Sequence, residues 1–204
     1  MQSVFSLFDA YTVRARIYPL IPILLPIYSV FVVGAQDDSD ALLLVLFASP
    51  FLVYGLSQHV RDRGKAREAI DDPRPTEFDL ATNPAAIGLT EVQAQNFLSR
   101  YAGRNAIRSA VNTMKDDKVV FHRGCVYGYR RNIMAVRCEI VFSTFLGCAL
   151  LLVISIKDPS RSTDAVGALI LNLMVAALAC IQGSKRLVKM AAVDYLFYLV
   201  VRSK

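Results

Sequence analysis

The chain has 204 residues, 54% of them hydrophobic, no Trp, and a formal net charge of +6 at pH 7. A mean hydropathy of +0.40, carried by four long uncharged runs, excludes an ordinary soluble domain and points to an integral membrane protein. Two His and four scattered Cys exclude a His-based metal cluster and a disulfide framework, and no cofactor is expected.

Residues 1–16 read as a short amphipathic interfacial helix, with Val4, Phe5, Phe8 and Tyr11 near one face and Arg14 and Arg16 behind them. The uncharged runs 17–35 and 41–57 make spans one and two, in a segment bounded at 17–57. A cleaved signal peptide over 1–35 fits less well, because sixteen residues precede the apolar run and prolines interrupt it. Pro22 and Pro26 share a helical face, and each removes a backbone donor. They mark span one as bent, either by packing or as a gating hinge, and Pro50 raises the same choice in span two.

Residues 58–137 read as a small cytoplasmic ligand-binding domain of α or α+β type. Its first part continues span two as a helix until 71-DDPRPTE-77 breaks it. Thr90 then caps a helix running to about Met114, on which Arg100, Arg104 and Arg108 form one stripe at successive turns. The run 118-KVVFH-122 reads as a short strand, with turns at Gly124 and Gly128. Spans three and four, 140–156 and 165–181, fall within 138–182, and 183–204 reads as a cytoplasmic helix packed under the bundle. On this topology 21 of the 23 basic residues lie on one side. That places both termini of a multi-pass protein in the cytoplasm, at the inner membrane of a bacterium.

No hydrolase, Walker-type or dinucleotide motif is present, so an enzyme is not expected. Three arginines one turn apart can meet successive phosphates; they can equally be a solvated face or rest on acidic lipid headgroups. The segment 121-FHRGCVYGYRRN-132 tilts the balance toward a ligand. It adds Arg123, Arg130 and Arg131, which grip phosphate by paired hydrogen bonds, and Tyr127 and Tyr129, whose faces can stack bases. An interfacial aromatic belt with positive-inside arginines is the plainer reading, and it accounts for Arg130, Arg131 and one tyrosine. Asn172, mid-span in the fourth run, must find a partner in lipid, either by interhelix bonding in an oligomer or by lining a pore.

The segment 127-YGYRRN-132, leading directly into an apolar span, resembles the YGFRRN segment of a family of small bacterial membrane proteins. The stretch 61-RDRGKAREAI-70, followed by 75-PT-76, is similar to that family's Arg-Asp-x-Gly-Lys segment and the Pro-Thr after it. The chain departs from the pattern in lacking Trp-Gly-Gly before Pro-Thr and in having Arg123–Gly124 where Glu-Asn is expected. In architecture the chain is similar to membrane effectors of nucleotide-signalled antiphage defence, and it resembles the effectors of the Hailong system in particular. The resemblance implies an oligomeric channel controlled by short single-stranded DNA oligomers from a partner nucleotidyltransferase.

The expectation is therefore a mainly α, four-span homo-oligomer, with four subunits, acting as a channel under the control of a nucleotide or short DNA oligomer. The alternative is a non-channel scaffold whose basic domain binds anionic lipid or a partner protein.

Overall fold

Prolines shape the first helix. α1 runs over Ala10–Gly34 in a computed structural model that describes residues 10–35, 39–70, 75–101 and 105–203. In a regular helix residue 19 would donate to the carbonyl of residue 15, and Pro19 has no N–H to give. The backbone responds with a π turn over Val13–Ile17 and a tight 3-10 turn over Tyr18–Leu20 before the α-helix resumes at Ile21. Pro22 and Pro26 are both buried. Ser29 Oγ donates to the Pro26 carbonyl at 2.9 Å. Gly147 lies against this bend, where a Cβ would stand 2.6 Å from that of Pro26. Pro26 is thus seated on a neighbouring helix.

That neighbour is α7 (Arg137–Lys157), which forms a hairpin with α8 (Ser162–Gln182) about the turn Pro159–Arg161. The buried face of α7 carries Ile140, Ser143, Thr144, Gly147 and Leu151. On α8 it carries Ala165, Asn172 and Ala179, spaced seven apart. Small residues at that interval let helix backbones approach closely. Bulky apolar residues point outward instead, among them Phe142, Phe145, Ile156 and Leu178. A small-residue interior under an apolar exterior is what a hydrocarbon solvent selects. Among the described residues, three helical segments are long and apolar enough to cross a membrane: Ala10–Gly34, Arg137–Lys157 and Pro159–Gln182. Arg161 fastens one end of this bundle. Its Nε lies 2.9 Å from Asp158 Oδ2, and Nη1 donates to the carbonyls of Val33 and Gly34, which end α1 without helical donors.

α2 (Ser39–Ile70) is one helix of 32 residues, continuous from the apolar run 41–57 into the charged stretch after it. The side chain of Pro50 lies outside the described residues, and so does all of Arg104.

The remaining helices build a compact layer around a second core. They are α3 (Glu77–Thr82), α4 (Glu91–Arg100), α5 (Ala106–Thr113), α6 (Lys118–Ala135) and α9 (Lys185–Arg202). Leu80, Ile87, Leu89, Phe97, Val120, Leu196 and Leu199 are among its buried residues. Local chemistry starts these helices. Thr76 with Asp79, and Thr90 with Gln93, form reciprocal capping boxes. Between them, Gly88 adopts φ 81° to end the turn Pro84–Ile87, a conformation that favours glycine.

Three expectations are corrected here. The run 118–122 is helix, not strand, because Asp117 caps it by accepting from the N–H groups of Val119 and Val120. No strand occurs among the described residues, so the β part of the expected domain is not found there. Gly124 and Gly128 are not turns but helical contact points. A Cβ at Gly124 would come within 3.3 Å of Tyr195, and one at Gly128 within 2.8 Å of the Tyr11 hydroxyl. The long helix expected over 90–114 is two helices: α4 ends at the non-helical Tyr101, and α5 begins after Asn105.

Candidate functional site: an arginine cleft and the helix that joins it to the bundle

The break after α4 separates Arg100 from Arg108, so they do not share a helical stripe. Arg108 is exposed on α5. Arg100 stands in a cleft of about 460 Å³ between α4 and the end of α9, lined by Gln93, Asn96, Phe97, Ser99, Arg100, Val200, Val201 and Ser203. Its Nη1 donates to the Ser203 carbonyl, at the C-terminal cap of α9. Guanidinium against a helix C-terminus is favourable, because the last carbonyls lack donors and carry partial negative charge. Among the described residues the lining holds one cation, several neutral polar groups, an aromatic edge and no acid. That chemistry suits an anion with an apolar part.

The arginines of the 121–132 segment are turned to internal use. Arg123 lies 3.6 Å from Asp194 and covers the Tyr198 ring at 4.7 Å. Arg130 donates from Nε to Gln182 Oε1 at 3.3 Å and from Nη1 to the Leu187 carbonyl at 3.2 Å, strapping α8 to α9. Arg131 donates to Asn132 Oδ1 from Nε and Nη2. Tyr127 is 6% exposed and stacks on Tyr195, rings parallel to within 6° and 6.3 Å apart. It has no free face for a base. Tyr129 is half-buried against the membrane-side core of Leu20, Val60 and Ile133, and burial raises its phenol pKa. Tyr195 is pushed up to about 12 by burial, with Tyr11 and Cys125 adding to it. Both tyrosines therefore stay neutral packing residues near neutral pH.

Asn172 is 1% exposed and donates to Ser29 Oγ at 2.9 Å within its own chain. Its Oδ1 has no hydrogen-bond partner among the described residues.

Sequence reasoning missed the residue that organises this region. Asn132 is buried, donates to the Ala15 carbonyl at 2.6 Å and accepts from Arg131. Its Oδ1 fills the space beside Gly64, where a Cβ would come within 2.2 Å of it. Gly64 and Asn132 belong to the two segments singled out as motifs, so pairing those segments was the available signal.

α6 joins the two cores. Val120 near its start is buried in the outer layer, Tyr127 at its middle packs on α9, and Ile133 near its end is buried in the membrane-side core. α7 begins two residues after α6 ends. No family model, curated protein or solved structure matches this chain.

Proposed function

We propose that this chain is one subunit of a homo-oligomeric, tetrameric membrane channel of the bacterial inner membrane, switched by a ligand at its cytoplasmic helical layer. In this reading 41–57 supplies a fourth span and both termini are cytoplasmic. The ligand is a nucleotide or short single-stranded DNA oligomer made by a partner nucleotidyltransferase, and the setting is antiphage defence. The protein itself catalyses nothing.

The observation that carries the reading is the continuity of α6, buried at one end in the outer layer and at the other in the bundle core. A change in the outer layer therefore has a stiff path to α7 and α1. The Arg100 cleft is the favoured seat for a phosphate. A phosphate competing for Arg100 would release the end of α9, which packs along α6. Arg108 can add long-range attraction, while Arg123, Arg130 and Arg131 hold the framework.

The test is oligonucleotide binding and single-channel recording with Arg100→Glu and Arg108→Glu proteins. Loss of binding together with an altered ligand response supports the proposal. Unchanged binding sinks the cleft, and absence of any conductance with or without ligand sinks the channel.

One observation favours a second reading. Tyr127 and four of the arginines expected to hold ligand have internal partners, as they would in a membrane scaffold that recruits a protein. Binding of oligonucleotides that is indifferent to base identity, and matched by vesicles of equal charge, supports that scaffold.

A further inference from the structure

We propose that Thr144 on α7 and Asn172 on α8 hold one buried water molecule between them, in the middle of the apolar bundle. The two side chains are 5% and 1% exposed. Thr144 Oγ1 and Asn172 Oδ1 each lack a hydrogen-bond partner among the described residues, and an unserved polar atom is costly in an apolar interior.

The register of the α7–α8 hairpin sets the two residues opposite each other. Toward the turn, Ser155 Oγ donates to Ser162 Oγ at 3.0 Å, and Leu151 shares a cluster with Ala165. Toward the open end, Ile140 shares a cluster with Ala176 and Ala179. One turn on from Ile140 along α7 is Thr144, and one turn back from Ala176 along α8 is Asn172. A chain of contacts through α1 agrees with that level. Asn172 Nδ2 donates to Ser29 Oγ, Ser29 Oγ donates to the Pro26 carbonyl, and Pro26 abuts Gly147. Gly147 and Thr144 lie on the same buried face of α7.

Each oxygen has a defined role. Ser29 gives its proton to the Pro26 carbonyl, so toward Asn172 it can only accept. The amide therefore turns its NH2 to Ser29 and its oxygen the other way. The hydroxyl of a helical Thr commonly bonds to the carbonyl one turn back. For Thr144 that carbonyl belongs to Ile140, which already accepts the Ser143 hydroxyl at 3.1 Å. The pair thus offers one donor and one acceptor. A water accepts from Thr144 and donates to Asn172. Its second proton is left for α1, where Pro26 has no N–H for the carbonyl of Pro22, one turn before the Gly147 contact. About three bonds are typical of a buried water. A monovalent cation suits the pair less well. No acid lies among the buried residues of α7 and α8, and a cation would leave the Thr144 proton unplaced.

Solid-state NMR of the isotope-labelled full chain in lipid bilayers tests this, by magnetisation transfer from water. Transfer is expected at the Asn172 side-chain amide and the Thr144 methyl, and not at Leu151 or Ala165. Thr144→Val should lose the transfer at Asn172, and Thr144→Ser, which keeps the hydroxyl, should retain it. Absence of transfer at Asn172 and Thr144 in the unaltered protein overturns the site, whether or not the variants fold. So does transfer at Asn172 that is undiminished in Thr144→Val. Transfer of equal strength at Leu151 and Ala165 would show a continuous column of water and overturn the single bound molecule. Transfer lost on adding sodium or potassium chloride, but not choline chloride, would assign the site to a cation and overturn the water.

Discussion

Asn132 donates its side-chain amide to the Ala15 carbonyl at 2.6 Å, and that carbonyl is the one to which residue 19, here a proline, would donate in a regular α-helix. A side chain from α6 thus bonds to the backbone of α1. The same side chain turns its oxygen to Arg131 and toward Gly64 on α2. Three segments far apart in sequence are joined through one amide, beside the apolar bundle.

Gly64→Ala should therefore destabilise the protein by about 1–3 kcal/mol, the usual cost of overpacking a filled site. Detergent-phase thermal unfolding measures this. Asn132→Ala alone should also destabilise, by removing the bond to the Ala15 carbonyl. The double substitution should cost clearly less than the sum, because the atom Gly64→Ala collides with is gone. Strict additivity would show that the two residues do not share a site.

Gly147→Leu should separate α1 from α7. Even the Cβ would lie 2.6 Å from Pro26 Cβ and 3.0 Å from its carbonyl, and backbone cannot yield as a flexible side-chain tip does. The expected readout is a lower unfolding temperature and faster proteolysis near residues 20–35. An unchanged melting curve would mean that α1 does not seat on α7 at that level.

Three apolar helices and the Thr90 cap were legible in the sequence, because they rest on local signals. Apolar runs and Thr90 each announce themselves within a few residues. The 121–132 segment was misread for the opposite reason. Glycine and tyrosine within a few residues of arginine read as a loop that meets ligand, yet Gly124 and Gly128 serve approach by Tyr195, Tyr11 and Ala15, from elements remote in sequence. The strand at 118–122 failed because two valines and a phenylalanine favour strand locally, while the Asp117 cap and burial of Val120 on α9 favour helix. The arginine stripe failed at Tyr101, where α4 ends just before Gly103, a break signal outweighed in the sequence reading by the apolar spacing that continues to Met114.

Arg161→Ala should loosen the end of the bundle at the turn between α7 and α8. It removes the donor serving the Val33 and Gly34 carbonyls and the Asp158 ion pair. The expected loss is about 1–3 kcal/mol, as for leaving polar groups unserved. Arg161→Lys should restore only part of it, since a single ammonium lacks the planar fork. Hydrogen exchange at residues 32–35 would report the loosening directly; unchanged protection there would argue against the tie.

Acid should weaken the start of α6 before the bundle. The Val120 N–H is the largest influence lowering the Asp117 pKa, and Val119 and Arg202 add to it. The folded-state pKa lies below the unfolded one, so the stabilisation is present above the ordinary carboxylate range. It is lost as pH falls through the folded value. Asp79 is lowered in the same sense by its capping box with Thr76. Asp117→Asn keeps a side-chain acceptor for the cap but does not titrate. Its stability should therefore vary less between pH 5 and pH 3 than that of the unaltered chain, while the two differ little in helix content near neutrality. Circular dichroism across that range is the measurement. Equal acid sensitivity in both proteins would assign the response to another carboxylate, with Asp79→Asn the next variant to compare.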